Sequence, residues 1–304
     1  MKNLLFLFSL FLSLQTVNLM AQVLPKVSSG KLERLSDFPS KLVDARHVDI
    51  WLPDGYPSGK PYKVLYMHDG QMLFDASTTW NKQAWNVDAS LAELIAKKAV
   101  ANTIIVGIWN NGKFRHSEYF PQKFLTTVGE PLRSQFIKDY LQNKPQSDNY
   151  LKFIVQELKP YIDQHYATRP EKEHTAMMGS SMGGMISVYA MNEYPEVFGS
   201  VAGVSIAWIS MGKPNFELPL AAFNYLQRHL ASPNYHRLYM DHGTTEMDQW
   251  YGTYQQFVDE IVRDKGYTSA NWETRQFPHT GHNENDWARR VAIPLQFLLG
   301  ATKS

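Results

Sequence analysis

A serine flanked by glycines is the residue of this chain whose surroundings best suit nucleophilic chemistry. The segment Gly179-Ser180-Ser181-Met182-Gly183 has the pattern G-x-S-x-G, and Gly184 follows directly. A serine on a sharp turn between a strand and a helix needs small residues two positions to either side, because larger side chains would collide with those elements. Such a turn exposes the hydroxyl at a helix N-terminus, where backbone N–H groups favour developing negative charge. The pattern therefore predicts that Ser181 is a nucleophile.

The flanking sequence contains the strand and the helix that such a turn requires. His174–Met178 is a short apolar run of strand length, and Met182–Glu193 has apolar residues at helical spacing before Pro195. The alternative is an ordinary glycine-rich turn, since G-x-S-x-G also occurs by chance. The strand and the helix favour the nucleophile.

A serine nucleophile needs a base, and the base needs an acid that orients it. With this kind of turn the chain order is Ser, then the acid, then His. His282 follows the last predicted strand and is the expected base. His279, closer to the end of that strand, is the alternative.

The acid is expected on the loop after the preceding strand, where Asp241, Glu246 and Asp248 compete. Glu246, three residues beyond Gly243, is the preferred candidate. Asp248 could instead cap the following helix, and Asp241 could hold the loop.

Two backbone N–H groups are expected to bind the oxyanion of the reaction. One belongs to Met182, directly after the nucleophile. The other is expected from the loop His68-Asp69-Gly70-Gln71, where Gly70 permits close approach of the backbone and Gln71 supplies the N–H. His68 and Asp69 could resemble a metal-binding pair, but no further ligands at matching spacing accompany them, so we interpret them as residues that shape the loop.

Strand-like and helix-like segments alternate along the chain, which is typical of an α/β fold with a mostly parallel central sheet and helices on both faces. The predicted strands are Arg46–Leu52, Lys63–Met67, Thr103–Trp109, Thr175–Met178, Ser200–Val204, Arg237–Asp241 and Trp272–Phe277. The predicted helices are Val87–Lys98, Tyr150–Tyr166, Met182–Glu193, Met247–Lys265 and Glu284–Leu299. The proline-containing stretches Lys113–Asn149 and Ser210–Tyr235 interrupt this alternation, and we expect them to form walls of a substrate pocket or, alternatively, ordinary surface elaboration.

The N-terminus has the features of an exported protein. Residues 1–21 combine Lys2, an apolar run at Leu4–Leu14 and the small residue Ala21, which is typical of a secretory signal peptide. The run is shorter than the roughly 20 apolar residues that span a bilayer, although a retained anchor is the alternative. Residues 22–304 are then predicted to form a single domain, periplasmic or secreted, without a membrane partner after cleavage.

Composition narrows the function classes further. The 304 residues include no cysteine, which excludes a disulfide, a thiolate metal site and a cysteine nucleophile, and which makes a bacterial origin the simplest reading of an exported chain. The net charge of +1 does not favour a nucleic-acid partner. The 13% of aromatic residues fits an aromatic-lined substrate cleft and a large core equally well, and the sequence does not indicate an oligomeric state.

With these residues in view, the chain resembles the Putative esterase family of the α/β-hydrolase fold, which includes feruloyl and acetyl-xylan esterases, esterase D, siderophore esterases and mycolyltransferases. The resemblance extends from about Arg46 to Leu299. It rests on residues 65–71, 115–121, 179–184 and 282–287. It supports Ser181, His282 and Gln71 in the roles above, whereas the acid varies between Asp and Glu in the family.

The resemblance also implies two residues near the substrate. Arg115, with Glu118 and Tyr119, matches a segment close to the pocket, either as a substrate contact or in an internal Arg–Glu ion pair with Glu118 that holds the loop. Trp208, just past the Ser200–Val204 strand, is a candidate for stacking on an aromatic acyl group or a sugar.

Together these features predict an exported serine carboxylesterase that needs no metal and no organic cofactor. Resemblance and export favour a small-molecule or polysaccharide ester as substrate, such as an acetyl or feruloyl group on a plant polysaccharide. The alternatives are a siderophore ester, acyl transfer in place of hydrolysis, and, from a different class, a non-catalytic binding protein on a hydrolase scaffold.

Overall fold

A single eight-stranded sheet organises the protein, in a computed structural model that describes residues 23–58 and 61–300. The predicted signal peptide, residues 1–21, lies outside the described residues. The strands are β1 (Lys31–Phe38), β2 (Arg46–Leu52), β3 (Lys63–His68), β4 (Thr103–Ile108), β5 (Thr175–Ser180), β6 (Ser200–Val204), β7 (Arg237–His242) and β8 (Trp272–Gln276). Their order across the sheet is β1-β2-β4-β3-β5-β6-β7-β8. β2 pairs antiparallel with β1 and β4, and all the other pairs are parallel.

The expected fold class is confirmed, and all seven predicted strands are present within two residues of their expected ends. The first strand, Lys31–Phe38, was not predicted. It is an edge strand with mostly charged and solvent-accessible residues, so it lacks the apolar alternation that marks a half-buried strand.

Ten α-helices surround the sheet in the described residues. They are α1 (Val87–Ala96), α2 (Arg115–Tyr119), α3 (Leu132–Tyr140), α4 (Ser147–Phe153), α5 (Lys159–His165), α6 (Met182–Glu193), α7 (Glu217–His229), α8 (Tyr251–Asp264), α9 (Glu284–Arg290) and α10 (Ala292–Leu299). A π-helical segment at Ile154–Leu158 joins α4 to α5, so the predicted helix at Tyr150–Tyr166 is continuous in outline. The predicted C-terminal helix is instead divided into α9 and α10, with Pro294 in the first turn of α10, where its missing N–H is least costly.

The core explains why the central strands are apolar throughout. Every residue of β4, β5 and β6 is buried, because helices cover both faces of the sheet. One apolar cluster lies on each face. The carboxyl ends of the parallel strands meet at one edge, where the loops after β3, β5, β7 and β8 carry the predicted nucleophile, base, acid candidates and oxyanion-binding residues.

The two stretches that interrupt the alternation pack against each other and against α6. The ring of Phe124, from the first stretch, lies 5.1 Å from the ring of Tyr225 in the second and 6.1 Å from Tyr189 of α6. These segments therefore contribute to the core above α6, and their role as pocket walls stays a prediction. Across the described ranges, no helix has the length and apolar character needed to cross a membrane.

Candidate active site

The turn between β5 and α6 holds Ser181 in a strained backbone conformation. Ser181 has φ 57° and ψ −123°, in a region that side-chain-bearing residues rarely occupy. A methyl group on Gly179 would lie 2.6 Å from the backbone carbonyl carbon of Gly183, so only glycine fits at that position. The serine is half-buried and directly precedes the first residue of α6. This is the geometry that the G-x-S-x-G pattern predicts.

The loop after β3 lies against the beginning of α6. A methyl group on Gly183 would lie 3.2 Å from Cβ of His68 and 3.4 Å from Oδ2 of Asp69. Gln71 sits in the 3₁₀ turn Gly70–Met72 of this loop, and Met182 is the first residue of α6. The two residues predicted to bind an oxyanion thus belong to neighbouring backbone segments, while their role in binding it stays a prediction.

The imidazole of His282 pairs with Asp248. Nδ1 of His282 lies 2.6 Å from Oδ1 of Asp248, whose side chain is fully buried. The rings of Trp287 and Tyr251 meet the imidazole edge-on, at 5.1 and 5.7 Å between centroids, and hold its orientation. His279, the alternative base, is exposed, and its backbone N–H donates to Thr244 Oγ1.

Glu246, the acid preferred from the sequence, is therefore not the partner of the imidazole. Its exposed carboxylate accepts the backbone N–H of His282 at 2.7 Å and the side-chain amide of Asn283 at 3.2 Å. Glu246 begins a 3₁₀ turn with φ 53°, and Asp248, two residues later in that turn, reaches the buried side. The positive φ that directs the two carboxylates apart has no signature in the sequence. Asp248 does not cap the following helix either, because its oxygens are used elsewhere.

Three donors surround the Asp248 carboxylate. Its Oδ2 atom accepts the Ser205 hydroxyl at 2.5 Å and the Gly243 N–H at 2.6 Å, while Oδ1 faces His282. Burial alone raises the pKa of Asp248, but the hydrogen bonds and the charge of His282 outweigh it, so the pKa lies below its ordinary value. The group is thus an anion that can stabilise a protonated imidazole. Ser205 belongs to no recognisable motif, so sequence reasoning missed it.

Asp241 does not contact His282 and instead has a structural role, which was the alternative prediction for it. Its Oδ1 atom lies 3.0 Å from the guanidinium of Arg290, and its Oδ2 atom accepts the Tyr239 hydroxyl at 2.9 Å. Burial raises the pKa of Asp241 despite the cation beside it. Arg290 also donates to Ser205 Oγ at 2.9 Å and so connects α9 to the residue whose hydroxyl donates to Asp248.

The hydroxyl of the predicted nucleophile and the second imidazole nitrogen of the predicted base form no hydrogen bond within the described residues. Neither the Ser181 hydroxyl nor Nε2 of His282 is hydrogen-bonded to any residue within 23–58 or 61–300. Catalytic hydrogen bonds are often long in ligand-free proteins and tighten when substrate binds, so this geometry is compatible with a Ser–His pair.

Arg115 forms an internal ion pair, with a partner other than the one expected. Its Nε and NH2 groups donate to the two carboxylate oxygens of Asp69, each at 2.7 Å, and Asn110 Nδ2 donates to the same carboxylate. Glu118 instead pairs with Arg46 in the core. Burial raises the pKa of Asp69, but Arg115 outweighs it and holds the pKa below its ordinary value. Arg115 therefore braces the loop that carries Gln71.

Trp208 cannot stack on a substrate. Its side chain is only 1% exposed, and Nε1 donates to Oε1 of Gln255 on α8 at 2.9 Å. The expectation from the resemblance is wrong because the chain after β6 turns into the core beneath the turn that carries Ser181. There the backbone N–H of Ala207 donates to the carbonyl oxygen of Ser181.

His68 and Asp69 face protein partners. His68 Nδ1 lies 2.8 Å from the Tyr150 hydroxyl, and burial lowers the pKa of His68 to about 3, so the ring is neutral. Within the described ranges, no group of three or more His, Asp or Glu side chains is arranged to hold a metal ion.

Comparison with known proteins identifies the family of this chain. The model of the Putative esterase family matches residues 40–293. A Bacillus subtilis protein, the uncharacterized protein YjcH, is 23% identical over 174 residues, which cover 57% of this chain and 60% of that protein. An endo-1,4-beta-xylanase/feruloyl esterase of Xylanibacter ruminicola is 26% identical over 180 residues, which cover 57% of this chain and 21% of the relative.

Solved structures with the same fold include two esterases. A ferulic acid esterase from Anaeromyces mucronatus has a TM-score of 0.62 at 20% identity, and the alignment covers 89% of this chain and 92% of the esterase chain. An enterobactin esterase from Shigella flexneri has a TM-score of 0.66 at 16% identity, over 91% of this chain and 60% of its own. The chain spans 60% or less of the length of the curated relatives it matches. The family match spans most of the chain, so the protein belongs to the Putative esterase family, and it has the α/β-hydrolase fold of these solved structures.

Proposed function

We propose that the protein is a serine carboxylesterase whose triad is Ser181, His282 and Asp248. The observation that carries the proposal is the 2.6 Å contact between His282 Nδ1 and the buried Asp248 carboxylate, on the same edge of the sheet as a strained serine. An imidazole held in this way presents its other nitrogen as a base, which is what a serine hydroxyl requires.

The reaction follows from these positions. Ser181 Oγ attacks the ester carbonyl carbon while Nε2 of His282 takes the hydroxyl proton. Asp248 stabilises the resulting imidazolium through Nδ1–H, and the N–H groups of Met182 and Gln71 bind the carbonyl oxygen as it becomes an anion. The imidazolium then gives its proton to the departing alcohol oxygen. A water molecule, deprotonated by the same imidazole, then attacks the acyl carbon, and the imidazolium returns the proton to Ser181 Oγ as the bond between that oxygen and the acyl carbon breaks and the acid is released.

A carbohydrate-linked acetyl or feruloyl ester is the proposed substrate, with export as the proposed route to it. The support is the family resemblance and the likeness to an endo-1,4-beta-xylanase/feruloyl esterase and to a ferulic acid esterase. The likeness to an enterobactin esterase keeps a siderophore ester as the comparison substrate.

Active-site labelling tests the nucleophile directly. The purified protein is treated with a fluorophosphonate, and the modified peptide is identified by mass spectrometry. We expect stoichiometric labelling at Ser181, which is absent in Ser181→Ala and retained in Ser180→Ala. Labelling of another serine, or none in the folded wild-type protein, would refute the proposed nucleophile.

Hydrolysis of a small substrate panel tests the substrate class. The panel comprises 4-nitrophenyl acetate, methyl ferulate, acetylated xylan and enterobactin. Preference for acetylated xylan or ferulate supports the carbohydrate ester, and preference for enterobactin contradicts it. Adding an alcohol or sugar acceptor and analysing the products separates hydrolysis from acyl transfer.

A further inference from the structure

A cavity of about 500 Å³ opens beside the loop that carries the proposed oxyanion donor. Its lining comprises the polar residues Gln71, Ser77, Thr78 and Thr79 and the apolar residues Val23, Pro25, Trp80 and Trp109. The volume falls in the range of about 300–1,000 Å³ that is typical of small-molecule sites. Gln71 belongs both to the cavity lining and to the loop proposed to bind the oxyanion, so the cavity adjoins that loop.

Trp80 is exposed to an extent that the fold does not explain. Its side chain is 84% exposed, the highest value among the large apolar residues of the described ranges. The other tryptophans near it are engaged: Trp85 is buried against Trp287, and Nε1 of Trp109 donates to Asp49 Oδ2 at 2.8 Å. Trp80 contributes little to the core, so its indole is available to a ligand.

The segment that carries Trp80 is fixed on both sides. Before it, the Asp75 carboxylate accepts the N–H of Ser77 at 2.8 Å, and Asp75 O accepts the N–H of Thr78 at 3.1 Å. After it, Asn81 Nδ2 donates to Glu284 Oε2 at 2.8 Å. Glu284 begins α9, two residues after His282. The indole therefore projects from a platform tied to the base of the proposed triad, which reduces the entropy lost when a ligand binds.

Polar groups that suit hydroxyl-rich ligands surround the indole. Gln71 Oε1 accepts the N–H of Asn110 at 3.2 Å, whereas its amide NH₂ group donates to no residue in the described ranges. The Ser77 and Thr78 side chains are exposed at the cavity rim. The cavity thus offers the exposed indole of Trp80 and the side chain of Trp109, with hydroxyl and amide groups and the apolar residues Val23 and Pro25 around them.

We propose that this cavity, which we call the Trp80 subsite, binds a sugar ring of the alcohol part of the substrate, with one face of the ring stacked on Trp80. The inference rests on the proposed ester hydrolysis and specifies its substrate. A sugar ring has an apolar C–H face and hydrated hydroxyl edges, so it can stack on an indole that remains open to water. An aromatic acyl group would instead gain most from an enclosed apolar site, and Trp80 at 84% exposure does not form one.

Steady-state kinetics of Trp80→Ala and Trp80→Phe test the subsite. With acetylated xylo-oligosaccharides we expect KM to rise about 10-fold for Trp80→Ala and about threefold for Trp80→Phe, at nearly unchanged kcat, because the stacking is made equally in the ground and transition states. With 4-nitrophenyl acetate, which has no sugar, both variants stay within about twofold of wild type in kcat/KM. The matched control is Phe257→Ala, because Phe257 is 57% exposed on α8, outside the subsite and outside the two stretches predicted to form pocket walls.

Three results would overturn the proposal: an unchanged KM for the oligosaccharides, an equal loss on both substrates, or a selective loss on methyl ferulate, which would assign the indole to an aromatic acyl group. Binding of unesterified xylohexaose to Ser181→Ala, measured by calorimetry with and without Trp80→Ala, tests the subsite independently of turnover. If xylohexaose binding depends on Trp80 but the wild-type protein hydrolyses none of the esters, the subsite is sustained and the proposed function is refuted. If the wild-type protein hydrolyses 4-nitrophenyl acetate but xylohexaose does not bind, the proposed function is sustained and the subsite is refuted.

Discussion

Asp248, and not Glu246, contacts the imidazole of His282, and this assignment leads to a sharp prediction for Asp248→Asn. The Gly243 N–H is a backbone donor that cannot be reversed, so the amide oxygen of the new side chain keeps its place there, and the amide NH₂ turns towards His282. Nδ1 of His282 must then accept a hydrogen bond, which places the ring proton on Nε2. In that tautomer the imidazole cannot take the proton of Ser181.

The size of the effect follows from this loss of tautomer and of charge. A carboxylate-to-amide change at the acid of a serine triad lowers kcat by about 10⁴-fold, or about 5 kcal/mol in the barrier. Glu246→Gln keeps an oxygen that can accept the His282 N–H at the protein surface, so we expect its kcat to remain within about threefold of wild type. The two variants differ from wild type by the same chemical change, which makes each a control for the other.

The assay is hydrolysis of 4-nitrophenyl acetate at pH 8, with thermal unfolding followed by circular dichroism to verify that both variants fold. If Glu246→Gln lost about 10³-fold or more while Asp248→Asn stayed active, the assignment of the acid would be refuted. Comparable losses in both variants would indicate that the loop, and not one carboxylate, sets the activity.

Three further predictions concern the supports of the site. Burial lowers the pKa of His68 to about 3, below the value near 6.5 of an unfolded chain, so the unfolded state takes up the proton first and stability falls as the pH drops below 6.5. His68→Asn should therefore reduce the loss of unfolding free energy between pH 7 and pH 5 by about 2 kcal/mol, measured by urea denaturation at each pH; an unchanged loss would place the acid sensitivity elsewhere. Gly179→Ala should lose several kcal/mol of unfolding free energy or fail to fold, because its methyl group would lie 2.6 Å from the backbone of Gly183. The control is Gly212→Ala, whose methyl group would have no neighbour within 4 Å, so its unfolding free energy should stay within about 0.5 kcal/mol of wild type in the same denaturation assay. Trp208→Phe removes the donor to Gln255 and should cost about 2–4 kcal/mol in urea denaturation, with kcat/KM on methyl ferulate within about twofold; a selective rise in KM would return Trp208 to the substrate site.

The parts of the fold and of the site that could be predicted depend on local sequence. Gly179 is required by a contact with the backbone of Gly183, only four positions away, so this side of the turn at Ser181 has a local sequence signature. The strands β4 to β6 are apolar at nearly every position because both of their faces are covered, and that pattern is also local.

The parts that could not be predicted depend on contacts between distant segments. Trp208 is buried because Gln255, 47 positions later, accepts its indole N–H. Arg115 meets Asp69, 46 positions earlier, where the nearby Glu118 had been the expected partner. Sequence spacing cannot rank such partners, since the choice depends on how helices pack around the sheet.

Three carboxylates, Asp241 at the end of β7 and Glu246 and Asp248 on the loop that follows, show what makes one of them suitable as the acid of a triad. Asp241 faces the guanidinium of Arg290, whose full positive charge already compensates it, so little of its field would remain to stabilise an imidazolium. Glu246 is exposed, and water weakens its interaction with any cation. Asp248 is buried, and its only hydrogen-bond partners within residues 23–58 and 61–300, apart from His282, are the neutral donors Ser205 and Gly243, which hold its geometry without cancelling its charge. Its charge is therefore available to the imidazole in a place where water screens it least, and this combination of neutral donors and burial distinguishes Asp248 from two neighbours with the same functional group.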